Sequence, residues 1–214
     1  MRPQFKGKGL RILDFDCEAR PLSWYGGEFV TKELTAIACA FTPVKATSAV
    51  RIECWLLGTP EQQAKYPDIV SGPEMLANFV ERYNEADLVT GHYIRGYDLP
   101  VINGALLEFG LPLLGDKLAQ DTKTDLVKRS GLSVSMENLG ALLDLKHEKV
   151  QMDQAKWRSA NRLEFAGIMQ TKKRVIGDVR EHIEMRAKLL ELGALRAPSV
   201  WSGTSTGAVP KYHA

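Results

Sequence analysis

Apolar positions along the chain follow two different periods. In the first third, Arg11 to Asp16 reads as a strand that ends in acids, and Leu34 to Phe41 is an apolar run of strand length. Val50, Ile52, Cys54 and Leu56 then alternate with their neighbours up to Leu57, as in a half-buried strand. A hairpin or loop is expected at Tyr25-Gly26-Gly27. Beyond residue 70 the period lengthens. Ser71-Gly72-Pro73-Glu74 opens a helix, with Ser71 placed to cap it, and Met75, Phe79, Val80 and Tyr83 follow at helical spacing. A short strand over Asp87 to Gly91 precedes a helix over Leu99 to Phe109, stopped by Gly110 and Pro112. Leu118 to Thr122 reads as a fifth strand, and Ser135-Met136-Glu137-Asn138 opens a helix carrying Leu139, Leu142 and Leu143. Residues 147–161 are polar and basic without a clear period, and read as a loop or ordered insertion. A long helix is expected from Leu163 to Leu192, ended by Gly193.

Three strands, then alternating helix and strand, then a terminal helix, is a mixed α/β order. One domain is expected over residues 10–193. A short basic arm (1–9) precedes it, and a loose tail (194–214) rich in Pro, Gly, Ser and Thr follows. The 214-residue length and the ordinary composition, 44% hydrophobic and 25% charged, suit one α/β domain with a sizeable core. The net charge of +2 is too small to argue for nucleic-acid binding without its distribution. Cys17, Cys39 and Cys54 form neither a CxxC pair nor a zinc spacing, which favours reduced thiols. No apolar run follows the N-terminal charges, and none approaches the length of a membrane span. A cytoplasmic protein with no membrane partner is expected.

Four carboxylates stand where apolar residues would be expected. Asp16 and Glu18 share one side of the first strand, because strand side chains repeat every two residues. Oxygen ligands so placed suit magnesium or manganese. Asp14 has the same parity and is a rival ligand, and a strand ending in solvent is the ordinary alternative. Asp98 sits where a helix begins and can equally be its N-cap. Asp178 lies at the edge of the apolar stripe formed by Val175, Ile176, Val179, Ile183, Leu189 and Leu190. A salt bridge to Arg174 or a contact with His182, one turn away on either side, is its ordinary alternative.

The ordered set resembles the DEDD exonuclease superfamily, which includes the proofreading domains of DNA polymerases. Phe15-Asp16-Cys17-Glu18 is similar to its first motif, Gly91-His92 through Tyr97-Asp98-Leu99-Pro100 to its second, and Val175-Ile176-Gly177-Asp178-Val179 to its third. Leu139 to Val150 resembles the segment before the third. The resemblance implies a ribonuclease H-like mixed sheet flanked by helices. It also implies two divalent cations, Mg2+ or Mn2+, held by Asp16, Glu18, Asp98 and Asp178, and release of 5′-mononucleotides from a free 3′ end. Single-stranded DNA is the expected substrate, and a DNA polymerase or the replication and repair machinery a further expected partner. Three positions depart from the pattern. Tyr93 stands where Asn is usual, and Arg174 and Lys173 stand where Tyr or His precedes the last acid.

The departure leaves the proton acceptor open. His182, one helical turn beyond Asp178, is a candidate; a hydrogen bond to Asp178 or a surface position without a role are its alternatives. Trp157, Arg158 and Arg162, interleaved with Lys156, form a candidate strand-holding segment, against a solvated loop anchored by the tryptophan. Tyr97 can pack near a terminal base or serve as a core tyrosine. Two rival functions remain: an endonuclease of the ribonuclease H type, and a non-catalytic exonuclease-like module that binds nucleic acid or a polymerase.

Overall fold

The computed structural model describes residues 9–23, 30–48, 51–127, 131–147 and 150–203. The Tyr25-Gly26-Gly27 turn, Val50, nearly all of the basic arm and the tail beyond residue 203 lie outside the described residues.

Among the described residues, seven strands form one mixed sheet. They are β1 (Ile12–Ser23), β2 (Val30–Thr42), β3 (Glu53–Leu57), β4 (Ile69–Val70), β5 (Leu88–Gly91), β6 (Lys117–Asp121) and β7 (Ser199–Trp201), in the spatial order β4-β3-β2-β1-β5-β6-β7. β1 pairs antiparallel with β2 and parallel with β5. Among the described residues, six helices accompany the sheet: α1 (Pro60–Gln63), α2 (Gly72–Glu85), α3 (Asp98–Glu108), α4 (Met136–Leu142), α5 (Gln154–Asn161) and α6 (Phe165–Glu191). No helix among the described residues is long and apolar enough to cross a membrane.

The period-two pattern of β1 decides which helix covers which face. Leu13, Phe15 and Cys17 point into a core with Phe79 and Tyr83 of α2 and Leu99 and Ile102 of α3. On the neighbouring β2, Ala36, Ala38 and Ala40 point the other way, into a second core with Val175, Val179 and Ile183 of α6. Three alanines in a row on one face leave room for α6 to lie close to the sheet. The even residues of β1 share that face, so Asp14, Asp16 and Glu18 lie under α6.

Asp14 is wholly buried there. Arg186 of α6 donates to both of its oxygens, from Nε at 2.9 Å and Nη2 at 3.1 Å. Thr42 donates to the same carboxylate, and Arg186 also reaches the carbonyl of Val44 at 2.9 Å. Burial would raise the Asp14 carboxyl, but the hydrogen bond from His182 and the charge of Arg186 outweigh it and hold the group below its usual range. This arrangement takes Asp14 out of contention as a metal ligand.

Several elements differ from the sequence reading. Residues 154–161, read as part of a loop or insertion, form α5, capped by Asp153, whose side chain accepts from the Lys156 amide. An amphipathic helix of eight residues is too short to show a period against its polar composition. Gly167 makes the α5–α6 contact possible, since a Cβ there would stand 2.2 Å from the Ala160 nitrogen. Residues 199–201, placed in the loose tail, add an antiparallel edge strand to β6. Ser71 caps α2 as expected, its hydroxyl accepting from the Glu74 amide.

Arg186→Met should cost about 3–5 kcal/mol of folding stability, because it leaves the Asp14 carboxylate buried without its charge partner. Replacing both residues with apolar ones of similar volume should recover most of the loss. Chemical denaturation of the two variants checks the pair.

Candidate metal centre

Three of the four predicted acids meet. Among the described residues, Asp16, Glu18 and Asp178 form the group able to hold a metal ion, each offering a carboxylate oxygen within 4.8 Å of the others. Asp16 and Glu18 are partly buried and Asp178 is buried. A β-bulge falls immediately after Glu18, between Glu18 and Ala19. It ends the run of acids on that face, and Thr35, the extra residue opposite, donates to the Glu18 carbonyl at 3.1 Å.

Asp98 approaches from the other side of the strand. Its Oδ1 accepts from the Cys17 amide at 3.0 Å, between the two acids of β1. It is the first residue of α3 but does not cap it. Burial pushes its carboxyl up to about 7, and the charge of Glu18 adds to this, against the hydrogen bonds of Cys17. The Cys17 thiol is pushed up well above its usual range, by burial first and then by the surrounding acids. Gly91, at the end of β5, permits this convergence: a Cβ there would lie 2.7 Å from the Phe15 carbonyl oxygen.

The residue before α3 that departs from the resemblance has a backbone reason to be unusual. Tyr93 adopts φ +74°, a left-handed conformation that Asn tolerates better than an aromatic residue. Its amide donates to Asp121 at 2.9 Å, and Lys123 lies 3.8 Å from its ring centroid.

His182 is not at the acid cluster. It is buried on the sheet-facing side of α6 at 1% exposure, with Nε2 3.3 Å from Asp14 and 3.2 Å from Thr90, and Nδ1 3.4 Å from Thr122. Both ring nitrogens are engaged in a buried network away from the acids, and nothing in this geometry supports the candidate water-activating role of His182. Four residues along a helix nearly match one turn, but α6 runs along β1, so Asp178 stands over Asp16 and Glu18 while His182 stands over Asp14.

Arg174 is at the cluster. Its Nε lies 2.5 Å from Glu18 Oε1, its Nη2 3.8 Å from Asp178 Oδ2, and its Nη1 donates to the Val150 carbonyl at 2.9 Å. Burial would lower the guanidinium, but the charges of Glu18 and Asp178 raise it above its ordinary value. Trp157 stacks over it at 5.4 Å from the ring centroid. Trp157 therefore touches the site through an arginine. Arg158 and Arg162 are exposed on and just after α5, Arg162 with a loose contact to Glu164 at 3.9 Å. The Lys172-Lys173-Arg174 run is split three ways. Lys172 pairs with Asp68, Lys173 is exposed, and Arg174 turns into the acids.

Tyr97 is half-buried beside Asp98, its hydroxyl pushed up to about 12 by burial and nearby acids. Lys32, which the sequence did not single out, lies 4.2 Å from its ring centroid. Both line an open cavity of about 520 Å³ with Pro100, Val101 and Leu107. Asp16, Glu18 and Asp178 make an all-oxygen donor set, which suits a divalent cation.

No family model and no curated protein matches this sequence. Among solved structures, the fold is similar to the family B DNA polymerase from the hyperthermophilic archaeon Pyrobaculum calidifontis. The TM-score is 0.57 and the identity 17%, over 86% of this chain. The chain spans 25% of the length of that polymerase chain. At this identity the likeness speaks for the fold alone, which is the α/β, ribonuclease H-like mixed sheet flanked by helices.

Asp98 sets a pH dependence on the protein without divalent cations. Its folded carboxyl at about 7 binds a proton that the unfolded chain, at its ordinary 3.8, releases earlier. The native state therefore holds more protons between these values, and stability falls as pH rises through them. Asp98→Asn, which keeps an acceptor for the Cys17 amide, should raise the melting temperature by several degrees at pH 8 and not at pH 4. Thermal unfolding in chelator at both pH values measures this.

Proposed function

We propose that this chain is a metal-dependent 3′–5′ exonuclease that releases 5′-mononucleotides from nucleic acid, with single-stranded DNA as the substrate. The observation that carries the reading is the convergence of Asp16, Glu18 and Asp178 from β1 and α6, with Asp98 bonded to the strand between the first two. The fold likeness to a DNA polymerase agrees with it, as does the resemblance of the three motifs to proofreading exonucleases.

In this reading Asp16, Glu18, Asp98 and Asp178 hold divalent metal, Mg2+ or Mn2+. Such metal, when bound, would lower the pKa of an attacking water and help offset charge on the leaving 3′ oxygen. Asp98 also braces β1 through the Cys17 amide, so the DxE pair keeps its spacing as charge changes. Tyr97 and Lys32 offer a ring and a cation beside Asp98, on the wall of the 520 Å³ cavity, where the terminal nucleotide can stack and its phosphate be balanced. Arg158 and Arg162 face solvent, where they can follow the backbone of an incoming strand. A DNA polymerase or the replication and repair machinery is the proposed partner.

One observation favours a second reading, a non-catalytic module that binds nucleic acid or a polymerase: the Arg174 guanidinium stands among the acids. A magnesium-dependent assay on 3′-end-labelled single strands, beside circular DNA, separates the readings. The exonuclease removes nucleotides from the labelled end and leaves the circle intact; a ribonuclease H-type endonuclease spares both and cuts internally an RNA–DNA hybrid run alongside; the module cuts none of them.

Asp16→Ala, Glu18→Ala, Asp98→Ala and Asp178→Ala should each lower turnover by about a hundredfold or more, the scale seen when a group that stabilises transition-state charge is removed. Circular dichroism should show each variant folded. Activity that persists in excess chelator would remove the metal mechanism.

Arg158→Ala and Arg162→Ala should weaken substrate binding more than the chemical step, and should flatten the dependence of binding on salt by about one counterion per lost phosphate contact. Binding titrations at several salt concentrations give the slope, and an unchanged slope would return these residues to an ordinary solvated helix end.

A further inference from the structure

Arg174 is held from more directions than an ion pair along a helix needs. Glu18 of β1 takes its Nε at 2.5 Å, Asp178 one turn along α6 lies 3.8 Å from Nη2, the Val150 carbonyl takes Nη1 at 2.9 Å, and Trp157 of α5 covers its plane at 5.4 Å. The side chain is 15% exposed. Three other segments, besides Asp178 of its own helix, thus converge to keep one positive charge against the acids.

We propose that Arg174 is the second cation of this site, so that the acid cluster takes one divalent ion where its carboxylates would otherwise take two. The inference rests on the metal-dependent reading above and concerns how that site is charged. A guanidinium stays ionised at any pH the fold survives, and its planar fork of donors matches carboxylate oxygens. It therefore cancels part of the cluster's negative charge permanently, and it occupies one oxygen of Glu18, Oε1. A neighbouring fixed positive charge also repels a second divalent ion across a few ångströms. A guanidinium neutralises charge but lowers no water's pKa, so it can replace the charge-balancing ion and not the water-activating one. Val150 and Trp157 act as positioning residues. The carbonyl points the fork, and the ring keeps the charge from swinging to solvent.

The test counts ions. Mn2+ is titrated into the folded parent protein and into Arg174→Gln, Arg174→Lys and Trp157→Leu, by calorimetry and by paramagnetic resonance of free Mn2+. One ion per chain is expected for the parent and two for Arg174→Gln. Arg174→Lys, which keeps the charge, should remain at one, and Trp157→Leu should show a weak second ion. Asp16→Asn in the Arg174→Gln background should abolish binding, which ties the count to this cluster. Two ions on the parent, or one on a well-folded Arg174→Gln, would overturn the proposal while leaving the metal-dependent reading in place. No Mn2+ on either folded protein would overturn both.

Discussion

The structure depends on one long helix lying along one strand with matched spacing. Two residues of a strand advance by about 6.6 Å, and four residues of a helix by about 6 Å. Asp14, Asp16 and Glu18 therefore meet α6 at successive turns, with Arg186 and His182 over the first and Asp178 and Arg174 over the others. The alanines of β2 let the helix come close enough for these contacts. At the Asp14 end the match is completed by an arginine and the pair is sealed. At the Glu18 end it opens towards solvent and gathers carboxylates.

The two ends treat negative charge in opposite ways. Asp14 is kept ionised by Arg186, Thr42 and His182, and its surroundings leave no room for a ligand. Asp98 is forced towards the protonated form by burial and by Glu18. A carboxyl under that strain marks a place where positive charge is wanted, while Arg174 answers Glu18, Asp178 and Asp16. The same helix thus anchors the fold with one arginine and sets the charge of the candidate site with another, three turns apart.

The flanking elements act on this axis. α3 delivers Asp98 to the backbone between Asp16 and Glu18, and its N-terminal side, with Tyr97 and Lys32, forms the wall of the adjoining cavity. α5, held to α6 through the bare backbone at Gly167, delivers Trp157 to Arg174. β7 closes the far edge of the sheet against β6, where Arg95 also bonds the Ser199 carbonyl at 3.0 Å.

The sequence by itself determined the α/β class, the first six strands apart from the two-residue β4, the long helices and the acids worth watching, because periods of two and of 3.6 are local properties of a chain. The parity of β1 was legible too, and with it the common face of Asp14, Asp16 and Glu18. Which of the three Arg186 would seal was not, since Arg186 lies 172 residues from Asp14 and its reach depends on how far α6 slides along the strand. The same slide decided that His182 is sealed against Asp14 and Thr90 instead of meeting the site. The i,i+4 spacing of Arg174 and Asp178 offered a local contact, and that contact forms. The stronger partner, Glu18, came only from the packing of helix on sheet. α5 and β7 were missed for a related reason: both are short, and their stability comes from what they dock against, which no window of sequence contains.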